Sequence, residues 1–338
     1  MRKLASIQKV LELNPIAGAD MIECASILGW RCVVRKGEFV VGGYGVFHEI
    51  DSVLPERPEY EFMRPRGFRV KTMKLRGCLS QGLLLPLSVV PTGVEVSEGV
   101  DVSEALGIVK YEPPYRFKNG DMRCPFPFFV PKTDEVRIQS EPGLLADLQG
   151  RPYYISQKLD GTSATFVLDV DGRLDAEKDL HCCSRNLSVK EGGSAGADGD
   201  NVYWQVARKY GIADGLQQFP RYALQGEIVG PSIQGNKLKL KEVDFRLFDV
   251  YDTEKQEYLG LMEMCYVAGV LGLPSVPILE EGPTFGDTVD QLVEKSKGKY
   301  DAGGHQEGIV IRSVAGGPQG GRPSFKCINP DFLLAGGD

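Results

Sequence analysis

The sharpest local feature of this 338-residue sequence is a lysine followed by an aspartate and a glycine, Lys158-Leu159-Asp160-Gly161. An apolar run, Tyr153–Ser156, precedes it and another, Ala164–Leu168, follows it, so it sits between two strands. Alone the match is weak, because Asp and Gly are ordinary turn residues and a β-turn accounts for them. Later segments add polar groups to apolar runs. The run around Leu224–Gly230 carries Glu227, and Arg246–Tyr251 has Phe248 at its centre. Glu307 opens the run Gly308–Arg312, and Phe325–Asn329 supplies Lys326. Arg185 lies in Cys183-Ser184-Arg185-Asn186. Read singly, Phe248 fits a core aromatic, Glu227 and Glu307 fit solvated strand ends, and Arg185 fits a surface ion pair.

In this order and at these separations the segments resemble the serial motifs of the covalent nucleotidyltransferases, the ATP-dependent ligases and their capping-enzyme relatives. The resemblance runs from about Lys132 to Leu334. It implies that the Lys158 amine attacks the α-phosphorus of ATP and expels pyrophosphate, leaving a lysyl–AMP phosphoramidate. An ordinary lysine titrates near ~10.4, and neighbouring carboxylates raise that value. A divalent cation, Mg²⁺ or Mn²⁺, placed among them reverses the local charge. Asp160, Glu227 and Glu307 are the candidate metal carboxylates. Mg²⁺ keeps most of its waters, so they are expected to hold the hydrated ion. Lys326 is expected on the α-phosphate and Phe248 on the adenine. Arg185 suits a phosphate, either of the nucleotide or of a nucleic-acid 5′ end. Lys158, Arg185, Glu227, Phe248 and Lys326 thus form the expected nucleotide site. One departure is Ile328, where many relatives have the second lysine of Lys-x-Lys. Lys237, Lys239 and Lys241 alternate with Leu238 and Leu240, which on a strand puts all three on one face. That face suits phosphate contacts or a solvated basic edge.

Ligases and capping enzymes of other branches carry an OB barrel after the last lysine, whereas 12 residues follow Lys326 here. The additional module is expected at the N-terminus. The stretch Val70–Leu84 and the segment Ala19–Glu23 resemble the tRNA-binding OB module of some aminoacyl-tRNA synthetases. An OB module ahead of a ligase core, joined through Phe128–Gln139, resembles the Deinococcus/Naegleria-type RNA ligase family over nearly the whole chain. The resemblance implies ATP-dependent sealing of 3′-OH and 5′-phosphate RNA ends at nicks in duplex RNA or an RNA/DNA hybrid. It also implies an α+β fold, an N-terminal OB-like β-barrel followed by a two-sheet adenylyltransferase domain.

The elements that must position these residues are legible in part. Residues 1–110 read as short strands with Gly and Pro punctuation, including Arg31–Val34 and Glu38–Val41 about the Lys36-Gly37 turn. A proline-dense stretch, 111–132, is the expected linker, and 133–338 the catalytic domain. Helices are expected over Asp200–Tyr210, Leu259–Leu271 and Thr288–Lys297, the last with Asp287 as N-cap. Net charge is −7, which argues against a protein that coats nucleic acid broadly. The first 110 residues are nonetheless balanced, with 14 Lys/Arg against 13 Asp/Glu. Within them residues 64–76 hold Arg64, Arg66, Arg69, Lys71, Lys74 and Arg76 without an acid. This stripe, read as a strand pair with a turn or bulge near Thr72–Lys74, is the expected nucleic-acid contact. Eight cysteines without a Cys-x-x-Cys pair, three histidines and no long apolar run predict a cytoplasmic protein without structural zinc or membrane contact, and a monomer is the separate expectation for its assembly. Three other readings remain: a catalytically silent RNA-binding protein of this fold, a guanylyltransferase, and a tRNA-handling factor dominated by the N-terminal module.

Overall fold

The N-terminal third is built from short strands wrapped around one core. The structure, a computed structural model, describes residues 2–112, 121–175, 179–192 and 201–337. Ala5–Lys9, Tyr44–His48 and Leu83–Leu85 form one sheet, and Glu12–Pro15, Ile22–Ile27 and Trp30–Arg35 another. In Trp30–Arg35 the alternation expected of a half-buried strand is explicit: Trp30, Cys32 and Val34 are buried while Arg31 and Arg35 are exposed. The expected barrel is therefore present, but two of its pieces differ. Glu38–Val41 is irregular, and the strand that follows the turn is Tyr44–His48. The basic stripe is not one strand pair. Arg64 and Arg66 belong to a 3₁₀ segment, Pro58–Arg66, that Gly67 ends at φ 58°. The hairpin beyond it, Met73–Leu75 with Cys78–Ser80, turns at Arg76-Gly77 rather than near Thr72–Lys74. Arg76 and Gly77 both have positive φ, 49° and 81°, as a type I′ two-residue hairpin turn requires.

The larger C-terminal part of the described chain is two sheets facing each other, an α+β arrangement. An eight-stranded antiparallel sheet has Thr162–Leu168, Tyr222–Val229 and Asp244–Asp252 at its centre. A five-stranded sheet has Ser324–Ile328, Gly308–Ser313 and Tyr153–Lys158 side by side. Helices Val202–Lys209 and Leu261–Leu271 bury Val206, Ala207, Met264 and Val267 against the first sheet. Asn201 caps the former by accepting from the Tyr203 and Trp204 amides. Helix Val289–Ser296 packs Leu292 against the second sheet, and its N-cap is Thr288, one residue after the expected Asp287. Asp287 instead pairs with Lys295. Pro113 and Pro114 of the expected linker, and Asp200, lie outside the described residues. Met122–Pro125 is the edge strand of the eight-stranded sheet. Lys237, Lys239 and Lys241 lie in a loop with positive φ at Asn236 and Lys239, so they do not share the strand face expected of them. All eight cysteines are free thiols, and no helix among the described residues is long and apolar enough to cross a membrane.

The two domains share a core. Helix Pro330–Leu334, capped by Asn329, delivers Phe332 and Leu333 into the N-terminal barrel's apolar cluster, and Ile328 joins them. Ile328 thus packs between domains, which is the physical reason an apolar residue stands where a phosphate-binding lysine was expected. Phe332→Ala should lower stability by ~3–5 kcal/mol through the cavity it leaves, read as a shift of the denaturant midpoint.

Candidate active site

The seam between the two sheets gathers the residues expected to be catalytic. Strand Tyr153–Lys158 belongs to the five-stranded sheet and Thr162–Leu168 to the eight-stranded one, so Lys158–Gly161 is the crossing between them. Pairing of Lys158 with Gly308 ends one ladder, which sets Glu307 beside the lysine. Pairing of Val310 with Lys326 places the second lysine one strand over. On the opposite sheet Ser163 pairs with Glu227, directly across from the crossing. Gly161 is required there by close approach: a Cβ would overlap the Ile228 carbonyl oxygen. All five residues expected to be catalytic, with Arg185 and Phe248, line one cavity of about 1280 Å³.

Lys158 Nζ donates to Glu307 Oε2 at 2.6 Å. Burial acts to lower the lysine's pKa, but Glu307, Glu227 and Asp160 outweigh it and raise the value. Burial, with Glu307 and Asp160 close by, pushes Glu227 up to about 8. Asp160 is also raised, by burial, although Lys237 pairs with it at 2.7 Å. Lys326 is depressed to about 7, by burial first and then by the charges of Lys158 and Arg137. Three carboxylates around one amine are a set of hard oxygen donors of the kind that suits Mg²⁺ or Mn²⁺. Phe248 lies against Leu159, Val229 and Val276, with the Arg312 guanidinium 5.5 Å from its ring centre. Behind it Arg312 binds Glu135 at 2.9 Å and Arg322 binds Asp249, a buried network that fixes the strand. Arg185 reaches the rim and is ion-paired with Asp134.

The far wall comes from the N-terminal domain, which contributes Arg2, Lys3, Asp51 and Lys110. Asp51 takes Arg69 and Arg137 at 2.9 Å each and Arg2 at 3.8 Å. These ion pairs hold Asp51 below the usual carboxylate range even though burial opposes it. The basic stripe therefore divides. Arg69 is buried behind this wall and stacks on Tyr111, with its guanidinium 3.6 Å from the ring centre. Arg64 binds Glu56 and Glu61, while Arg66, Lys71, Lys74 and Arg76 are exposed outside the cavity. Arg2, Lys110, Asp134 and Arg137 escape a reading of the sequence, while Lys237, read there as one of three lysines on a strand face, pairs with Asp160 from a loop. None of the former four belongs to a spacing pattern that singles it out.

One further cluster is invisible to spacing. Cys124, Asp175 and His181 come within 4.8 Å of one another, outside the cavity. Arg123 holds Asp175 and Asp179 at 2.8 and 2.7 Å, and the His181 Nδ1 meets Ser188 Oγ at 3.0 Å. The carboxylates are thus already neutralised by a guanidinium.

Comparison with known proteins agrees with this architecture. Residues 4–87 match an OB-fold domain model, and residues 151–328 match the RNA ligase family model. No curated protein sequence matches the chain. Among solved structures, a mutant of Naegleria gruberi RNA ligase with AMP and Mn is 37% identical, with a TM-score of 0.87 and 99% of each chain covered. A second mutant of that ligase, with ATP and Mn, is 36% identical at a TM-score of 0.87, covering 98% of this chain and 99% of the other. The same ligase with PPi is 37% identical at 0.86, again over 99% of each chain. An OB-fold domain ahead of a matched ligase core, and near-complete superposition on such an enzyme, mean that this chain belongs to the RNA ligase family.

Proposed function

We propose that the protein is an ATP-dependent RNA ligase that joins 3′-OH and 5′-phosphate ends at nicks in duplex RNA or an RNA/DNA hybrid. The observation that carries this reading is the meeting of Lys158 with Glu307, Asp160 and Glu227 on the floor of one cavity flanked by Lys326. In the first step the Lys158 nitrogen forms a bond to the α-phosphorus of ATP and the bond to pyrophosphate breaks. The AMP then passes to the RNA 5′-phosphate, and the 3′-OH attacks that phosphate and releases AMP. Asp160, Glu227 and Glu307 would hold Mg²⁺ or Mn²⁺, which when bound lowers the amine's pKa and offsets charge on the α-phosphate. Phe248 stacks on the base, and Arg185 exchanges Asp134 for a phosphate. Arg2, Lys110 and Arg137 face the pyrophosphate end. Lys326, whose pKa burial and the nearby cations depress to about 7, would be held protonated by the triphosphate and stabilise charge in the transition state. The exposed part of the stripe grips RNA away from the nucleotide.

Lys158→Ala should abolish a covalent AMP adduct when the protein is incubated with labelled ATP and Mg²⁺ and run on a denaturing gel. It should still seal a pre-adenylylated strand, because that step does not use the amine as a nucleophile. An undiminished adduct on the variant removes the assignment. Wild-type protein that forms no adduct, or one with GMP instead, favours the silent RNA-binding or guanylyltransferase reading.

Lys326 carries a pH signature. Its folded value, about 7, lies below the ordinary 10.5, so the folded state holds fewer protons than the unfolded one between those values. Stability linked to it is full above 10.5 and lost as pH falls through 7. Buried thiols such as Cys32, raised above 9.0, act in the opposite sense at higher pH but are common to wild type and variant. Lys326→Met should therefore be stabilised relative to wild type near pH 7, with the gap closing as pH rises. Thermal melts of the nucleotide-free proteins measure this.

Replacing Lys71, Lys74 and Arg76 together by alanine should weaken nicked-duplex binding and flatten its salt dependence. The log–log slope should fall by ~0.9 for each phosphate that the variant no longer neutralises. Lysyl–AMP formation should persist. Unchanged affinity and slope would make these residues merely solvated.

A further inference from the structure

Lys158 and Gly308 are the last paired residues of their ladder, so beyond them the two strands no longer bond to each other. That is where the reactive groups lie: Asp160 two residues past the lysine, and Glu307 just before the glycine. Two backbone amides there, of Asp160 and Glu307, need acceptors. Both donate to the same atom, the Tyr300 hydroxyl oxygen, at 3.0 Å each. The hydroxyl donates its own hydrogen to the Lys158 carbonyl oxygen at 3.1 Å. A phenol has one hydrogen and two lone pairs, and here all three are used on the two segments that carry the nucleophile and its carboxylates.

The ring is 3% exposed and packs against Leu159, Val229 and Val276. Its own backbone is held in a turn, its amide donating to Gly304 at 2.9 Å and its carbonyl accepting from Gly303 at 2.8 Å. Burial raises the phenol's pKa further above its ordinary value, so the hydroxyl keeps its hydrogen throughout the neutral range. The sequence offers no hint of this, because a lone tyrosine in the segment before Glu307 matches no motif.

We propose that Tyr300 is a positioning residue for lysine adenylylation, its hydroxyl fixing the spacing between the Lys158 amine and the carboxylates of Asp160 and Glu307. The proposal rests on the ligase reading of those residues. It assigns Tyr300 no contact with the nucleotide. The hydroxyl sets where the amine and carboxylates stand when the α-phosphate arrives, and its removal acts on the rate of N–P bond formation rather than on nucleotide affinity.

Tyr300→Phe removes the hydroxyl and keeps the ring. The strand ladder remains, as does the bond from Gln157 Nε2 to Gln306 Oε1 at 2.8 Å, so the two strands stay paired. Two orphaned amides and one missing donor predict a fall in single-turnover lysyl–AMP formation of about 10- to 100-fold at saturating ATP and Mg²⁺. Binding of α,β-methylene-ATP, which cannot release pyrophosphate, should stay within about threefold of wild type. A rate within about threefold of wild type overturns the proposal. So does a loss of α,β-methylene-ATP affinity beyond about tenfold, because Tyr300 would then hold the pocket as a whole. Tyr300→Leu, which also empties ring volume, should lower the thermal midpoint further than Tyr300→Phe while slowing adenylylation to at least the same degree. A slow Tyr300→Leu beside a fast Tyr300→Phe assigns the effect to packing and overturns the role of the hydroxyl. If wild-type protein forms no lysyl–AMP, it is the ligase reading that fails and the proposal falls with it. A normal wild-type adduct with an unaffected Tyr300→Phe overturns the proposal alone.

Discussion

A lysine amine held among three carboxylates at the junction of two sheets is the constraint on which the rest of this structure depends. In a partly enclosed site the interactions among these charges are strong, and no arrangement of them is comfortable without a counter-ion. Glu307, Glu227 and Asp160 raise Lys158 above its ordinary value, while burial first, and then Glu307 and Asp160, push Glu227 up to about 8. The fold holds the groups together by register. One antiparallel ladder ends at Lys158 and Gly308, another pairs Val310 with Lys326, and a third pairs Ser163 with Glu227. A slip of one residue in any of these would turn a charged side chain to the opposite face of its sheet.

The second requirement is a wall on the far side of the cavity, and the N-terminal barrel supplies it. Phe332 and Leu333 enter the barrel's core, so the two domains are joined by apolar packing as well as by charge. Asp51 then gathers guanidinium groups from both domains, Arg2 and Arg69 from one and Arg137 from the other. A half-buried carboxylate shared in this way holds cationic side chains at the cavity wall in defined positions while limiting their mutual repulsion. Arg69 belongs to the basic stripe by sequence and to this wall by position.

The serial segments were legible because the chemistry needs particular residue types at fixed places on strands. Lys158, Asp160, Glu227, Phe248, Glu307 and Lys326 are each anchored to an apolar run, and apolar runs show in sequence. The same reasoning placed the helices Val202–Lys209 and Leu261–Leu271 to within about two residues over the described chain, since their buried faces recur at helical spacing. It failed for Lys237, Lys239 and Lys241. Alternation with leucine suggested a strand there, but positive φ at Asn236 and Lys239 turns the chain and sends Lys237 alone to Asp160.

What the sequence determined by itself was the order of the reactive residues, the β-rich module ahead of them, and the family both resemble. Those follow from residue type and local periodicity, which the chain carries along its length. Only the tertiary structure decided that Ile328 packs into the barrel core, that Arg69 sits behind the cavity while Lys71 and Lys74 stay outside, and that Tyr300 meets three backbone groups of the site. Each of these joins residues from separate segments, in the case of Asp51 and Arg137 from separate domains. Such contacts depend on how sheets and domains pack in three dimensions, and no local pattern records that packing.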